Sequence, residues 1–480
     1  MNSYLKGNTY TVYWHFILFL FAMGVAIAFF FYGSSIPYNF RVRGDANEYL
    51  RIASRFSSLK DALHYIAGFP LVDFLFIHYG HTNSAITLVN RICWTLFLVH
   101  ELTIGLLCWI FSKLKLFPKH SLYYMVLFFL LAAYPALVMH TTTPLTDTFG
   151  MDLLLLVFIA FALIECGTIN RFFMIVLSGL IGGLLLGYAV LVRPVYLVAA
   201  ISFLIAYFLI MLMNRHTSSE CTFSNRFLFV TVVTIAFSTL LLTIQFNCQS
   251  QNSSLCQEHT KVFHLINDIQ DGLVGSRVLW NLQVPSPSTG VPVLPDPFMI
   301  KYFYSRCSIV SVVGISEQSL VGCLLHNPFA SVVYLLKKSI GLFDAFRLTP
   351  YTESMTPSSY VVISRIFSSL TFVGFLLALF KGLYSGWRLI FYRQTVSTLF
   401  ASAWIFCLTF FSIHVLLHIE ERYIFPCIPL CLTVLLLQIH YLTNASISTR
   451  QRWGHCILAA LLSSLFFMQI LNWDSLSRFY

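Results

Sequence analysis

Apolar runs of about 20 residues recur along the chain, and nothing in the sequence constrains its fold more, because a run of that length crosses a bilayer's hydrocarbon core as one helix. The runs lie near 11–32, 86–112, 121–140, 148–165, 172–191, 195–213, 227–246, 360–380, 396–417, 424–442 and 454–472. Each ends at charged, Pro or Ser/Thr/Asn-rich punctuation. The pattern predicts an all-α polytopic membrane protein with about eleven transmembrane helices. Only 10% of the 480 residues are charged and mean hydropathy is +0.78, which excludes a soluble enzyme, a fibre and a disordered chain. The first run is rich in Phe and lacks a basic region followed by a small-residue cleavage site, so a retained helix is expected rather than a signal peptide.

The net charge of +10 fits cytoplasmic loops of a membrane protein better than a nucleic-acid partner, and none is expected. With the N-terminus inside, the inner connections carry Lys113, Lys115 and Lys119, then Arg171, Arg215 with Arg226, Lys381 with Arg388 and Arg393, and Arg450 with Arg452. The opposite face receives 33–85, the turn 141–147, the tip near Arg193, the long segment 247–359 and the turn 418–423. The chain divides accordingly into an N-terminal transmembrane module 1–246, an outer cap segment 247–359 and a C-terminal transmembrane module 360–480. Cys248, Cys256, Cys307 and Cys323 fall in the outer segment, an even set that either pairs or stays as four thiols.

The first outer loop carries Arg41, Arg43, Asp45, Glu48, Arg51 and Arg55. From Ala46 onward Tyr49, Ile52, Ala53 and Phe56 form one apolar stripe, so a short amphipathic helix at the membrane surface is expected. Asp45 is placed as its N-cap, with Glu48 three residues on, close to a capping box. Capping leaves the surrounding arginines unexplained. A carboxylate amid guanidinium groups suits a reaction on an anionic lipid head group, the cations holding phosphate and the acid taking a proton from a nucleophile.

Thr146-Asp147-Thr148, Arg193-Pro194 and Glu420-Glu421-Arg422-Tyr423 add acids and cations at the outer ends of several helices. Singly, each has a structural explanation: Asp147 as a cap, Arg193 as an interface anchor, Glu421 as a partner for Arg422. In the long segment, Asn327-Pro328 begins an apolar run expected to form an interfacial helix near 328–345, with Lys337 and Lys338 as head-group anchors. Gly179, Gly183 and Gly187, four apart, are expected to be packing residues that let two membrane helices approach. His100-Glu101 lies near the middle of the second span, beyond reach of Arg91 on the same helix. It fits either a proton relay or a structural partner for another helix.

Taken in order, Gly44-Asp45 before a Tyr and an Ile-Ala helix, then Gly68-Phe69-Pro70-Leu71, Pro144-Leu145-Thr146-Asp147, a Gly-rich helix ending Leu191-Val192-Arg193-Pro194, and Glu421-Arg422-Tyr423 resemble the GT-C type membrane glycosyltransferases. The pattern is especially similar to bacterial members related to protein mannosyltransferases and lipid A aminoarabinose transferases, and the size is similar to the O-antigen glucosyltransferases. The resemblance implies a GT-C fold and a hexosyltransferase that takes sugar from a polyprenyl-phosphate-linked donor at the outer face of a bacterial inner membrane. The acceptor would be a hydroxyl of lipopolysaccharide O-antigen or another envelope glycan, free or lipid-linked, with inversion at the anomeric carbon. Asp45 matches the family's first-loop acid and would be the general base. Arg193 and Arg422, then Arg41 and Arg43, would hold the donor phosphate, while Asp147, with Glu48 and Glu421, would orient the acceptor. No cofactor is expected, although Asp45 with Asp147 or Glu421 would supply oxygen ligands to a divalent ion if the fold brought them together. Two other readings stay open: a transporter of lipid-linked sugar or polysaccharide, which calls for midplane polar residues and broken helices, and an O-antigen polymerase or ligase relying on arginines without an essential first-loop acid.

Overall fold

The computed structural model describes residues 2–42, 45–56, 69–80, 84–117, 122–193, 195–215, 220–251, 357–392, 397–416, 421–444 and 457–468, with positions 328–329, 332, 339–340, 342–343 and 453–454. Among these the chain is all-helical, without strands, and nine helices are long and apolar enough to cross a membrane. In chain order the elements are α1 (Asn2–Ser34), α2 (Tyr38–Arg41), α3 (Asp45–Ala53), α4 (Phe69–Tyr79), α5 (Ala85–Lys113), α6 (Leu122–Ala132), α7 (Pro135–Thr141), α8 (Thr146–Glu165), α9 (Phe172–Val192), α10 (Tyr196–Met213), α11 (Glu220–Gln251), α12 (Ser358–Tyr392) and α13 (Thr398–Leu416). A 3-10 turn (Glu421–Cys427) then leads into α14 (Ile428–Asn444), and α15 (Ile457–Met468) follows. The bundle is held by an apolar core in which Phe161 meets Phe203, Tyr207 and Phe229 edge-on, joining α8, α10 and α11.

The run 121–140, expected as one helix, is two. Pro135 lacks the N–H that would continue the ladder, and Tyr134 before it turns to extended backbone (φ −66°, ψ 113°), as pre-proline geometry favours. The result is a 50° bend between α6 and α7. The last expected span, 454–472, is described as the shorter α15. Helix α8 stops where Gly167 takes a left-handed φ of 68°. Thr168 N–H then donates to Leu163 O (3.1 Å) and Gly167 N–H to Ile164 O (3.1 Å), satisfying two otherwise orphaned carbonyls.

Cross-helix contacts sort the helix ends into two groups. At one end the Tyr207 hydroxyl donates to Glu165 (2.7 Å), Arg226 pairs with the same carboxylate (2.6 Å), Asn214 donates to Thr398 (3.2 Å), and Tyr123 meets Thr443 (2.9 Å). This is the basic end, where Lys113, Arg171 and Arg215 lie. At the other, the first-loop end, α3 and α4 pack over the tip of α5: Ile92 and Leu96 are covered by Tyr49, Leu50, Val72 and Phe76, with Phe149 of α8 beside them. Helix α3 buries Ala46, Ile52 and Ala53, and Ile52, Ala53 and Phe56 of the expected stripe pack with Phe74 of α4.

Where the long segment is described, Leu342 and Phe343 are buried, and Phe343 lies against Phe372, Phe375 and Phe411. That part is docked into the bundle between α12 and α13. Lys337, Lys338 and three of the four outer cysteines (Cys256, Cys307, Cys323) lie outside the described residues; Cys248 falls within α11.

The glycines of α9 pack as expected. A Cβ on Gly183 would lie 2.5 Å from the Val233 carbonyl and 2.6 Å from the Ala236 Cβ; on Gly179 it would lie 2.9 Å from Val232, and on Gly187 2.8 Å from Leu240. All four neighbours belong to α11, so the stripe seats one helix directly on another. Gly183→Leu should therefore destabilise the detergent-solubilised protein by about 1–3 kcal/mol. Gly105→Ala, whose Cβ would meet nothing within 4 Å, should change the thermal midpoint little; equal effects of the two would mean that α9 and α11 are not in this contact.

Candidate functional site

The break at Pro135 puts a polar stretch, Thr141 to Thr148, inside the bundle rather than on its surface. Thr141, Thr142, Thr143, Thr146, Asp147 and Thr148 are all buried. Their hydroxyls are used locally: Thr141 Oγ1 donates to Val138 O (2.7 Å), Thr142 Oγ1 to Met139 O (2.7 Å) and Thr148 Oγ1 to Leu137 O (3.2 Å). Buried backbone and hydroxyl groups need such partners, each lost bond costing about 1–3 kcal/mol.

Two arginines close on this stretch. Arg41, at the end of α2, is 3% exposed. Its Nε donates to Thr142 O (2.8 Å), Nη1 to Asn90 Oδ1 (2.8 Å) and Ser34 O (3.2 Å), and Nη2 to Cys93 Sγ (3.2 Å). One guanidinium thus ties α1, α2, α5 and the α7–α8 connection together. Arg193 follows α9 in extended backbone (φ −140°, ψ 94°), the conformation required before Pro194. Its Nη2 pairs with Asp147 Oδ1, the carboxylate being 1% exposed, and the Tyr196 hydroxyl meets the same guanidinium. Gly150 makes room one turn below, since a Cβ there would lie 2.9 Å from the Tyr196 ring. Arg193 is therefore an ion-pair partner rather than an interface anchor.

Of the residues picked from sequence, the fold brings together Asp147 and Arg193, with Arg41 on the same stretch through Thr142. Glu48 pairs with Arg51 one turn along α3, both half exposed. Asp45 opens α3, and Glu421 and Arg422 open the 3-10 turn before α14. Phe425, in the same turn, stacks edge-on with His140 of α7 at 4.8 Å, which draws this turn to the first-loop end. Arg43 lies outside the described residues. Among the described residues no cluster of three or more His, Cys, Asp or Glu is arranged to hold a metal ion.

Below the ion pair a small apolar pocket opens between α5, α8, α9, α10, α13 and α14. Met151, Ala200 and Pro426 line its upper part, and Phe111, Phe203 and Phe400 also line it. Met151 sits one turn along α8 from Asp147, so the charged pair and the apolar space are contiguous on one helix.

Two acids escape the sequence reading. Asp73 of α4 is fully buried and neither carboxylate oxygen has a partner among the described residues. It lies within electrostatic reach of Cys93, the thiol that Arg41 touches, and of Tyr188. Its signal in the sequence is the single acid in the run Phe-Pro-Leu-Val-Asp-Phe-Leu-Phe-Ile, two residues past Leu71. The second, Asp152, lies within a span and answers His100: Nδ1 and Oδ1 are 3.0 Å apart, both side chains buried.

Burial holds the Asp73 carboxyl well above the usual carboxylate range, near 3.8. The folded protein therefore keeps a proton that the unfolded chain has lost at neutral pH. Its contribution to stability is complete below about pH 4 and declines as pH rises through the folded value. Asp73→Asn, which is neutral throughout, should flatten the fall of thermal midpoint between about pH 5 and pH 8 in purified protein. Identical slopes for variant and parent would show that the buried carboxyl does not carry the proton.

No model of a known protein family matches the chain, and no curated protein sequence matches it.

Proposed function

We propose that the protein is a GT-C type glycosyltransferase, moving a hexose from a polyprenyl-phosphate-linked donor to a hydroxyl of an envelope glycan at the outer face of a bacterial inner membrane. The observation that carries the reading is the convergence of Arg41 and the Asp147–Arg193 pair on one buried stretch at the first-loop end, directly above an apolar space. A charged locus that opens onto an apolar space suits an amphiphile with a phosphate head and a hydrocarbon tail. Counting the bent pair α6–α7 as one span gives ten among the described residues; the proposed fold takes the region of the shorter α15 as the eleventh.

In this reading Asp45 takes the proton from the acceptor hydroxyl as it attacks the anomeric carbon, a general-base step that contributes about 10² to 10⁴ in rate. The arginines hold and neutralise the departing phosphate. Arg193 reaches the phosphate only by sharing its guanidinium with Asp147 or giving that carboxylate up, so donor binding and the α8–α9 contact are linked. Arg41 is engaged by four protein atoms and serves first to position the loop.

A second reading, transport of a lipid-linked sugar, draws on two observations: the bent pair α6–α7 and the acid–imidazole pair buried in the spans. Broken helices and interior titratable groups are features of transporters.

Membranes containing equal amounts of wild type or Asp45→Asn, supplied with radiolabelled polyprenyl-phosphate sugar and O-antigen acceptor, separate these readings. We expect transfer by the wild type and a loss of about 10²-fold or more in the variant. Equal transfer by both would remove Asp45 from the chemistry. No transfer by either, with labelled lipid crossing sealed vesicles, would replace the transferase by the transporter.

A further inference from the structure

Helix α5 carries two titratable residues, His100 and Glu101, near its middle, and α8 brings Asp152 against them about 9 Å along its axis from Thr146. His100 and Asp152 share a 3.0 Å Nδ1–Oδ1 contact with side chains 0% and 1% exposed. Glu101 is 7% exposed, and neither of its oxygens has a partner among the described residues; nor does Asp152 Oδ2. The groups that act on this cluster are these three side chains and, from α6, the Leu131 carbonyl facing the imidazole. No Lys or Arg among the described residues does so.

The charge balance decides what the cluster holds. With both acids ionised and the imidazole protonated, it carries one uncompensated negative charge inside a membrane bundle, where an unpaired charge costs several kcal/mol. A carboxylate kept for packing alone would be paired, and the Glu101 oxygens are not. One positive charge of small size completes the cluster, and the arrangement does not converge as a metal site. We propose that Glu101, His100 and Asp152 form an intramembrane proton-binding centre, with Glu101 carrying the exchangeable proton.

Glu101 lies at the edge of the face that α5 turns outward, between Leu98 (53% exposed) and Leu102 (67% exposed). The carboxyl oxygens themselves are buried, so a lipid-soluble carbodiimide, which partitions into the bilayer, is the reagent suited to reach them as the side chains at this edge move. Dicyclohexylcarbodiimide reacts with a carboxylic acid when the acid proton moves to a carbodiimide nitrogen and the carboxylate oxygen bonds to the central carbon. The acyl group then migrates to nitrogen to leave a stable N-acylurea, so nothing is lost and no oxidant or reductant is needed.

The experiment is labelling of the full chain in lipid vesicles, with the modified position read by peptide mass spectrometry. We expect Glu101 to be labelled, the extent falling about tenfold per pH unit above its midpoint, and no label at that position in Glu101→Gln. Replacing choline by sodium should leave the labelling unchanged; a sodium-dependent drop of about tenfold would overturn the proton in favour of a monovalent cation. Absence of label on wild-type Glu101 from about pH 6 to pH 9, or labelling independent of pH, would overturn the proposal. The Asp45 measurement reports on sugar transfer alone, so either result stands without the other.

Discussion

A guanidinium sealed inside a membrane bundle must find acceptors for nearly all its N–H groups, and Arg41 finds four on three different parts of the chain. That requirement organises the first-loop end. Helix α7 ends at Thr141 inside the bundle, which leaves its last carbonyls where water cannot reach them. Thr141 and Thr142 turn their hydroxyls back on the carbonyls of Val138 and Met139, and Arg41 takes the Thr142 carbonyl. The same arginine holds the end of α1 through Ser34 and the start of α5 through Asn90, so the polar knot at the end of α7 fixes how the first loop leaves the membrane. Polar groups with no water available must be satisfied internally, and here they are satisfied by a residue from the loop itself.

Away from that knot, close approach of backbones does the work, because lipid tails offer apolar side chains no reason to prefer protein. The three glycines of α9 seat it on α11. Gly374 of α12 faces the Cys431 carbonyl of α14, where a Cβ would clash with backbone, and Gly33 of α1 meets Thr142. These seams bind the end of α1 to the buried polar stretch and join α12 to α14. The bundle is thus tied by small residues along its length and by charge at one end.

Much of this was legible in sequence because hydropathy reports burial in lipid directly. The limits of α8, α9 and α10 follow from apolar runs ended by Gly167, Pro194 and Asn214, and the Gly179–Gly187 stripe announces its own packing. The bend at Pro135 was not read, since the run Leu122 to Thr141 is apolar on both sides of the proline and hydropathy does not see a missing N–H. At the site, Asp147 and Arg193 were found by type and position, but their pairing was not, because it joins residues 46 apart through the fold. Asp73 and Asp152 were passed over for one reason: an acid within an apolar stretch has meaning only from what stands opposite, and that comes from another helix. His100 stayed ambiguous in sequence until α8 supplied its partner.

Helix α8 carries two buried acids, Asp147 and Asp152, five residues apart and so separated by about 140° around its axis. They live under different rules. Asp147 faces Arg193, a cation that never loses its charge at physiological pH, so that contact persists unless an anion competes for the guanidinium. Asp152 faces His100, whose charge is changeable, with Glu101 beside it. One helix therefore carries a carboxylate held against a permanent cation near its first turn and another held against a titratable ring farther along, so the two acids of one apolar span are satisfied by different chemistry.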